Sequence, residues 1–258
     1  MRRFAVLLAC LVVLVGCSKA PAGSAAQQTI RISAASSMTD VLKESAAAFE
    51  AANPGVAVEL NFAASGVLKM QIEQGAPVDL FVSASAKEMD DLAAKKLIDA
   101  ASRRDVASNQ LVLVGPPDSP IASWNDLASP KVTKIAVSNP ETVPSGRYAQ
   151  ETLEKRGLMA KVKDKLIFGE NVRQTLAYVL HGDTDAAIVF ATDAMTAGDK
   201  VKILDRAVNG VDHRSIDYPL AVVRRSDQRD AALSFARFLS SPEGQSILSR
   251  HGFTPPDR

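Results

Sequence analysis

Four times along this chain a short apolar run gives way to a helical pattern through a junction of small, uncharged residues: Ser36-Ser37, Ser65-Gly66, Ser145-Gly146 and Asn171-Val172. The first junction sets the pattern. Ile30 and Ile32 alternate as a half-buried strand would; Val41, Leu42, Ala46 and Phe49 then recur at helical spacing, and Asn53-Pro54-Gly55 ends the helix. The same reading predicts strands over residues 56–62, 78–83, 110–114, 134–138, 186–190, 201–204 and 218–223, with another ending at Gly169. Helices are predicted over 67–74, 87–96, 147–156, from Val172 to Gly182, and over 230–239 and 243–250. A chain that alternates strands with helices throughout buries its strands beneath helical layers. The expected fold class is therefore α/β, with mostly parallel sheets flanked by helices.

The amino terminus reads differently. Met1-Arg2-Arg3 followed by an apolar run from Phe4 to Val15 is the pattern of an export signal, its apolar run too short for a confident membrane span. Leu14-Val15-Gly16-Cys17 resembles the lipobox of bacterial lipoproteins. Residues 1–16 are thus expected to be a signal peptide, Cys17 the lipidated first residue of the mature chain, and 17–28 a flexible tether. The expected location is the periplasm or cell surface, held to a bacterial membrane by lipid alone. Both cysteines, Cys10 and Cys17, fall in or at the edge of this leader, so the mature body has neither a disulfide nor a thiol nucleophile. Losing Arg2 and Arg3 takes 30 basic residues to 28, against 29 acidic ones. That balance offers no basic stripe for nucleic acid.

Three short matches recur in the same order: residues 30–37 with 134–141, 63–66 with 143–146, and 78–85 with 184–192. Two lobes of related topology would explain them. In α/β sheets, ligands sit beyond the carboxyl ends of the strands, where the four junctions would face one crevice. Each helix amino end carries about half a positive charge, so four of them supply on the order of two, which suits a small dianion. Gly66 and Gly146 would let the backbone approach it closely. Serine hydroxyls would add charge-assisted hydrogen bonds worth ~1.5–3 kcal/mol each. A pocket of donors alone also discriminates: a fully deprotonated tetrahedral oxyanion needs nothing else, whereas hydrogen phosphate brings a proton that needs an acceptor. No carboxylate lies within the segments 34–38, 63–66 or 143–146; Glu170, beside Asn171, is the nearest exception.

Six segments carry a family resemblance: AASSMTD (34–40), NFAASGVLKMQIEQGAPVDLFVSAS (61–85), NPETVPSGRYAQETLEKRG (139–157), ENVRQTL (170–176), IVFATDA (188–194) and SPEGQSILSRHGF (241–253). Together they resemble the molybdate-binding component of bacterial ABC importers. The resemblance implies a two-lobed type II periplasmic binding protein with its ligand cleft between the lobes. Lobe I would be residues 29–108 plus 217–258 and lobe II residues 109–216, the chain crossing near 107–111 and 216–221. It implies an extracytoplasmic receptor, not an enzyme and without a cofactor, that captures molybdate or tungstate. Its partners would be the permease and ATPase subunits, and it would act as a monomer. By motif position, Ser36 and Ser65 would bind the oxyanion through hydroxyl and amide, and Ser145 and Val172 through backbone amides, holding the molybdate metal indirectly through its oxygens. Relatives often have alanine at the place of Ser145, so its hydroxyl is expected as an added donor. The family commonly has a ligand-binding tyrosine at the place of Phe190. Phenylalanine cannot donate, so a modest loss of affinity or a rearranged contact is expected there.

Other cargoes fit the same fold. Sulfate shares the donor requirement, whereas ferric ion would want clustered tyrosines and histidines, and Tyr148, Tyr178 and Tyr218 form no cluster in sequence. A serine hydrolase lipoprotein is a remote alternative, since no Gly-x-Ser-x-Gly elbow surrounds Ser36, Ser65 or Ser145. Arg147 and Arg173 flank two junctions and are expected to make surface or interlobe ion pairs. His181, His213 and His251 follow no metal spacing.

Overall fold

The computed structural model of the protein describes residues 28–256. The expected signal peptide, Cys17 and the tether up to Gln27 lie outside the described residues. Within them run ten strands: β1 (Gln28–Ala35), β2 (Val56–Ala63), β3 (Leu80–Val82), β4 (Arg104–Ser108), β5 (Leu111–Gly115), β6 (Ile135–Ser138), β7 (Leu166–Gly169), β8 (Ala186–Phe190), β9 (Lys202–Arg206) and β10 (Asp217–Val222). The α-helices among the same residues are α1 (Thr39–Ala52), α2 (Ser65–Glu73), α3 (Ala86–Ala94), α4 (Pro144–Lys155), α5 (Met159–Val162), α6 (Val172–Leu180), α7 (Ala191–Ala197), α8 (Arg229–Leu239) and α9 (Pro242–Arg250).

The strands form two five-stranded sheets, in the orders β2-β1-β3-β10-β4 and β7-β6-β8-β5-β9. In the first, β1 pairs in parallel with β2 and β3; in the second, β6 pairs in parallel with β7 and β8. The fourth strand of each order, β10 or β5, runs against both neighbours. The sheets are therefore mixed, although four strands of each share a direction. The reversed strands have a topological cause. β4 ends at Ser108 and β5 begins at Leu111, so the chain passes between the sheets through Asn109 and Gln110. A strand that arrives from the other sheet starts at the end where the remaining strands finish, and must run away from it.

Two of the three internal matches are topological. β1 and β6 stand second in their orders, and β3 and β8 third. The match of residues 63–66 with 143–146 is not, because α2 follows β2 whereas α4 follows β6. The structural counterpart of Ser65-Gly66 is Asn171-Val172, after β7.

Helix starts also move. The helix predicted from Val67 begins at Ser65, and the one predicted from Arg147 begins at Pro144. Proline suits the first helical position because its missing N–H has no partner to lose there. Ser65, Gly66, Ser145 and Gly146 therefore lie inside first turns, with helical N–H orientation. β4 and α7 carry little apolar periodicity and were not anticipated. Apolar packing behind the sheets falls into a large cluster, in which Phe49 meets Phe235 edge-on at 5.1 Å and Trp124 is fully buried, and a smaller one around Leu68, Phe81 and Met89.

Candidate functional site

The four junctions meet at the carboxyl ends of the strands. Ser36 and Ser37 open a 3-10 turn between β1 and α1; Ser65 is the first residue of α2, Ser145 the second of α4 and Val172 the first of α6. Backbone N–H groups in such turns lack intrahelical partners and carry the positive end of the helix dipole. Asn171 caps α6 by accepting the Gln174 N–H at 3.0 Å, which occupies one orphan donor and leaves that of Val172.

All five residues singled out from the sequence, Ser36, Ser65, Ser145, Val172 and Phe190, line a single cavity, joined by Ser37 and by alanines at 35, 63, 64 and 84. None of the described residues that line it has an ionisable side chain. The cavity is small, about 10 Å³ measured to the centre of a water, roughly the room that one water needs. Wider spaces exist. A mostly apolar groove of about 220 Å³ lies over Leu153, Met159 and Phe168, with Glu154 and Lys163 also in its wall.

The direction of each hydroxyl follows from its partners. Ser65 Oγ accepts the Ala84 N–H at 3.1 Å, so its own proton remains for the cavity. Ser36 Oγ has no hydrogen bond among the described residues, while its carbonyl takes the Thr39 hydroxyl at 2.7 Å. Ser145 differs from expectation. Thr175 Oγ1 donates to Asn171 O at 3.0 Å, Ser138 Oγ lies 2.8 Å from Thr175 Oγ1, and Ser145 Oγ donates to Ser138 Oγ at 2.9 Å. The Ser145 proton is thus committed to this chain of hydroxyls and is not an added donor; Ser145 offers the cavity its backbone N–H.

The glycines also act otherwise than expected. The Gly66 N–H donates to Thr142 O at 3.0 Å, joining α2 to the segment before α4. A Cβ on Gly66 would stand 2.5 Å from that oxygen, and one on Gly146 would stand 2.2 Å from Ser138 O. Both glycines allow backbone to approach backbone, and neither is reserved for a ligand.

Ion pairs join the two halves on either side of the cavity. Arg147 reaches the buried Glu88 of α3 at 2.6 Å, and Arg173 reaches Asp40 of α1 at 2.7 Å. Arg173 Nε also lies 2.6 Å from the fully buried carboxylate of Asp193. Burial pushes the Asp193 carboxyl up to about 6, against the pull of Arg173. These are the interlobe pairs expected of the two arginines. Asp193 itself had no sequence signal, because α7 is short and nearly featureless. His251 pairs with Glu44 at 2.7 Å and His213 packs on Tyr148, away from the cavity.

Two mixed sheets whose helix amino ends converge on one uncharged cavity define a two-lobed α/β binding protein of the periplasmic type. The chain belongs to the bacterial extracellular solute-binding protein family, which matches residues 30–254. It is 37% identical over 97% of its length, and 96% of the relative's, to YvgL of Bacillus subtilis (strain 168), which is provisionally named an ABC transporter substrate-binding lipoprotein. It is 36% identical to the molybdate-binding protein ModA of Haemophilus influenzae, across 89% of this chain and 91% of ModA. The solved periplasmic molybdate-binding protein of Azotobacter vinelandii shares the fold, with a TM-score of 0.79 at 22% identity over 88% of this chain and 100% of that one. The protein is a solute-binding component of an ABC transporter.

Proposed function

We propose that this chain captures molybdate, or tungstate, and delivers it to the permease and ATPase subunits of a bacterial importer. The observation that supports this most directly is the cavity between the lobes, where Ser36, Ser65, Ser145 and Val172 converge and no charged side chain intrudes. Ser36 and Ser65 would each give the oxyanion a hydroxyl and an amide, and Ser145 and Val172 an amide each. A tetrahedral dianion without protons satisfies these donors and asks for no acceptor. The chain does no chemistry on its cargo and needs no cofactor. In this reading, residues 29–108 with 217–258 form lobe I, residues 109–216 form lobe II, and the two hinge at the crossings. Export, lipidation at Cys17 and a free tether would leave a monomer tied to the membrane surface beside its permease.

Thermal melting tests the reading. A ligand that binds only the folded chain at a thousand times its dissociation constant adds about 4 kcal/mol, which moves the melting temperature of a chain this size by roughly 8–16 °C. Molybdate is expected to produce that rise, and competition calorimetry is expected to rank it above sulfate. A melting curve indifferent to molybdate would remove the proposal; tighter binding of sulfate would keep the fold's role and change the cargo.

A further inference from the structure

Phe190 gives the cavity a wall without a donor. Edge-on to its ring, at 6.1 Å between centroids, lies the fully buried Tyr218 of β10. Tyr218 Oη is 2.9 Å from Ser37 Oγ, and it receives Asn109 Nδ2 at 3.1 Å.

Counting protons fixes the direction of this chain. Asn109 Oδ1 accepts the Gln110 N–H at 2.9 Å, which sets the orientation of the amide. Its two Nδ2 protons then go to Thr192 Oγ1 at 2.9 Å and to Tyr218 Oη. Burial pushes the Tyr218 phenol far above its usual range, so it keeps its proton. Among the described residues Oη has two hydrogen-bond neighbours, and Asn109 offers it only a donor. The phenol proton therefore goes to Ser37 Oγ; the opposite sense would strand it in a buried site, which polar groups in folded chains avoid. With Ser37 Oγ accepting from Tyr218, the serine's own proton is uncommitted. Ser37 lines the cavity and is 3% exposed.

Resting on the anion-site reading above, we propose that Ser37 donates this proton to the bound oxyanion, as a fifth donating residue where Phe190 supplies none. Tyr218 and Asn109 are its positioning residues. Asn109 stands in the link between β4 and β5, and Tyr218 at the start of the returning strand, so the donor is aimed by both crossings of the chain at once.

Calorimetric titration of the mature chain with molybdate tests this in four forms besides the parent: Ser37→Ala, Tyr218→Phe, the two together, and Ser65→Ala as a gauge of the site itself. Loss of one charge-assisted hydrogen bond predicts binding about ten- to a hundredfold weaker in Ser37→Ala. Tyr218→Phe is expected to weaken it roughly three- to tenfold. The double variant is expected to bind like Ser37→Ala alone, because both residues act through one proton. A purely structural Tyr218 would instead lower the ligand-free melting temperature and add its effect to that of Ser37→Ala. Parental affinity in Ser37→Ala, with Ser65→Ala weakened, overturns the proposal and leaves the anion site standing. A parent that binds no molybdate overturns the site reading first and this proposal with it. Should Tyr218→Phe fail to fold, Ser37→Ala, which deletes a single oxygen, decides the matter.

Discussion

Replacing Gly66 with alanine tests whether the lobes close on each other as the structure has them. Gly66 is the second residue of α2, and its N–H reaches Thr142 O of the facing lobe at 3.0 Å. An added Cβ would stand 2.5 Å from that oxygen and 3.0 Å from Thr142 Cα. Both are backbone atoms, so no side-chain rotation relieves the overlap and the two segments must part. Overpacking of this kind costs about 1–3 kcal/mol, and the lost hydrogen bond adds about 0.5–1.5 kcal/mol. Together they predict a dissociation constant for molybdate roughly tenfold to a thousandfold higher, by calorimetry, at 1.4 kcal/mol per decade. The penalty falls on the closed arrangement alone. With the lobes apart the overlaps with Thr142 are gone, and alanine suits a helix better than glycine, so the ligand-free melting temperature is expected to hold or rise slightly. Gly146→Ala is the control. Its Cβ would stand 2.2 Å from Ser138 O within the same lobe, so that variant melts earlier with or without ligand. Parental affinity in Gly66→Ala, or an equal drop in ligand-free melting temperature for both variants, would refute the reasoning.

Three further outcomes follow from the site and its surroundings. Ser65→Ala removes one hydroxyl donor and leaves the Ala84 N–H without its acceptor, and calorimetry is expected to show molybdate binding weakened about ten- to a hundredfold. Glu88→Gln breaks the pair with Arg147 at 2.6 Å; because Arg147 keeps some solvent contact, about a tenfold loss of affinity is expected, together with a weaker dependence of binding on salt concentration. Asp193 bears on pH. Its folded carboxyl titrates near 6, above the unfolded value of 3.8, so the folded state holds the proton more tightly and this group's contribution to stability declines as pH rises from about 4 to 6. Asp193→Asn is expected to remove that decline, visible as a flatter melting temperature across the window relative to the parent.

The sequence carried the architecture because alternation of apolar strands and amphipathic helices is a local signal. Residues 186–190, as a continuous apolar run, and α8, by its helical periodicity, are placed within a residue of where they lie. β4 escaped notice because RDVAS has one large apolar side chain, and its burial comes from β10, more than a hundred residues away in the chain. The reversal of β10 and β5 is likewise not written in their own residues. It follows from where the chain has just been. Asp193 under Arg173 is a third case, where a carboxylate on an unremarkable short helix acquires its character chiefly from burial, against the pull of Arg173.

The five cavity residues were legible by type and position, but their chemistry was not, and the serines show why. A serine hydroxyl both donates and accepts, so a wall of serines is not by composition a wall of donors. What each offers a ligand is decided by the group behind it. Ser65 has a backbone N–H behind it and turns a proton inward; Ser145 has a hydroxyl chain ending at Asn171 O and turns its proton away. Ser37 is backed by a phenol whose own acceptor sites face Asn109, which places it with Ser65. Carrying the ligand set over by motif position therefore overvalues the Ser145 hydroxyl and leaves out Ser37. In the proposed reading, selection for unprotonated cargo would come from the second row of hydrogen bonds, which gives the first row its direction.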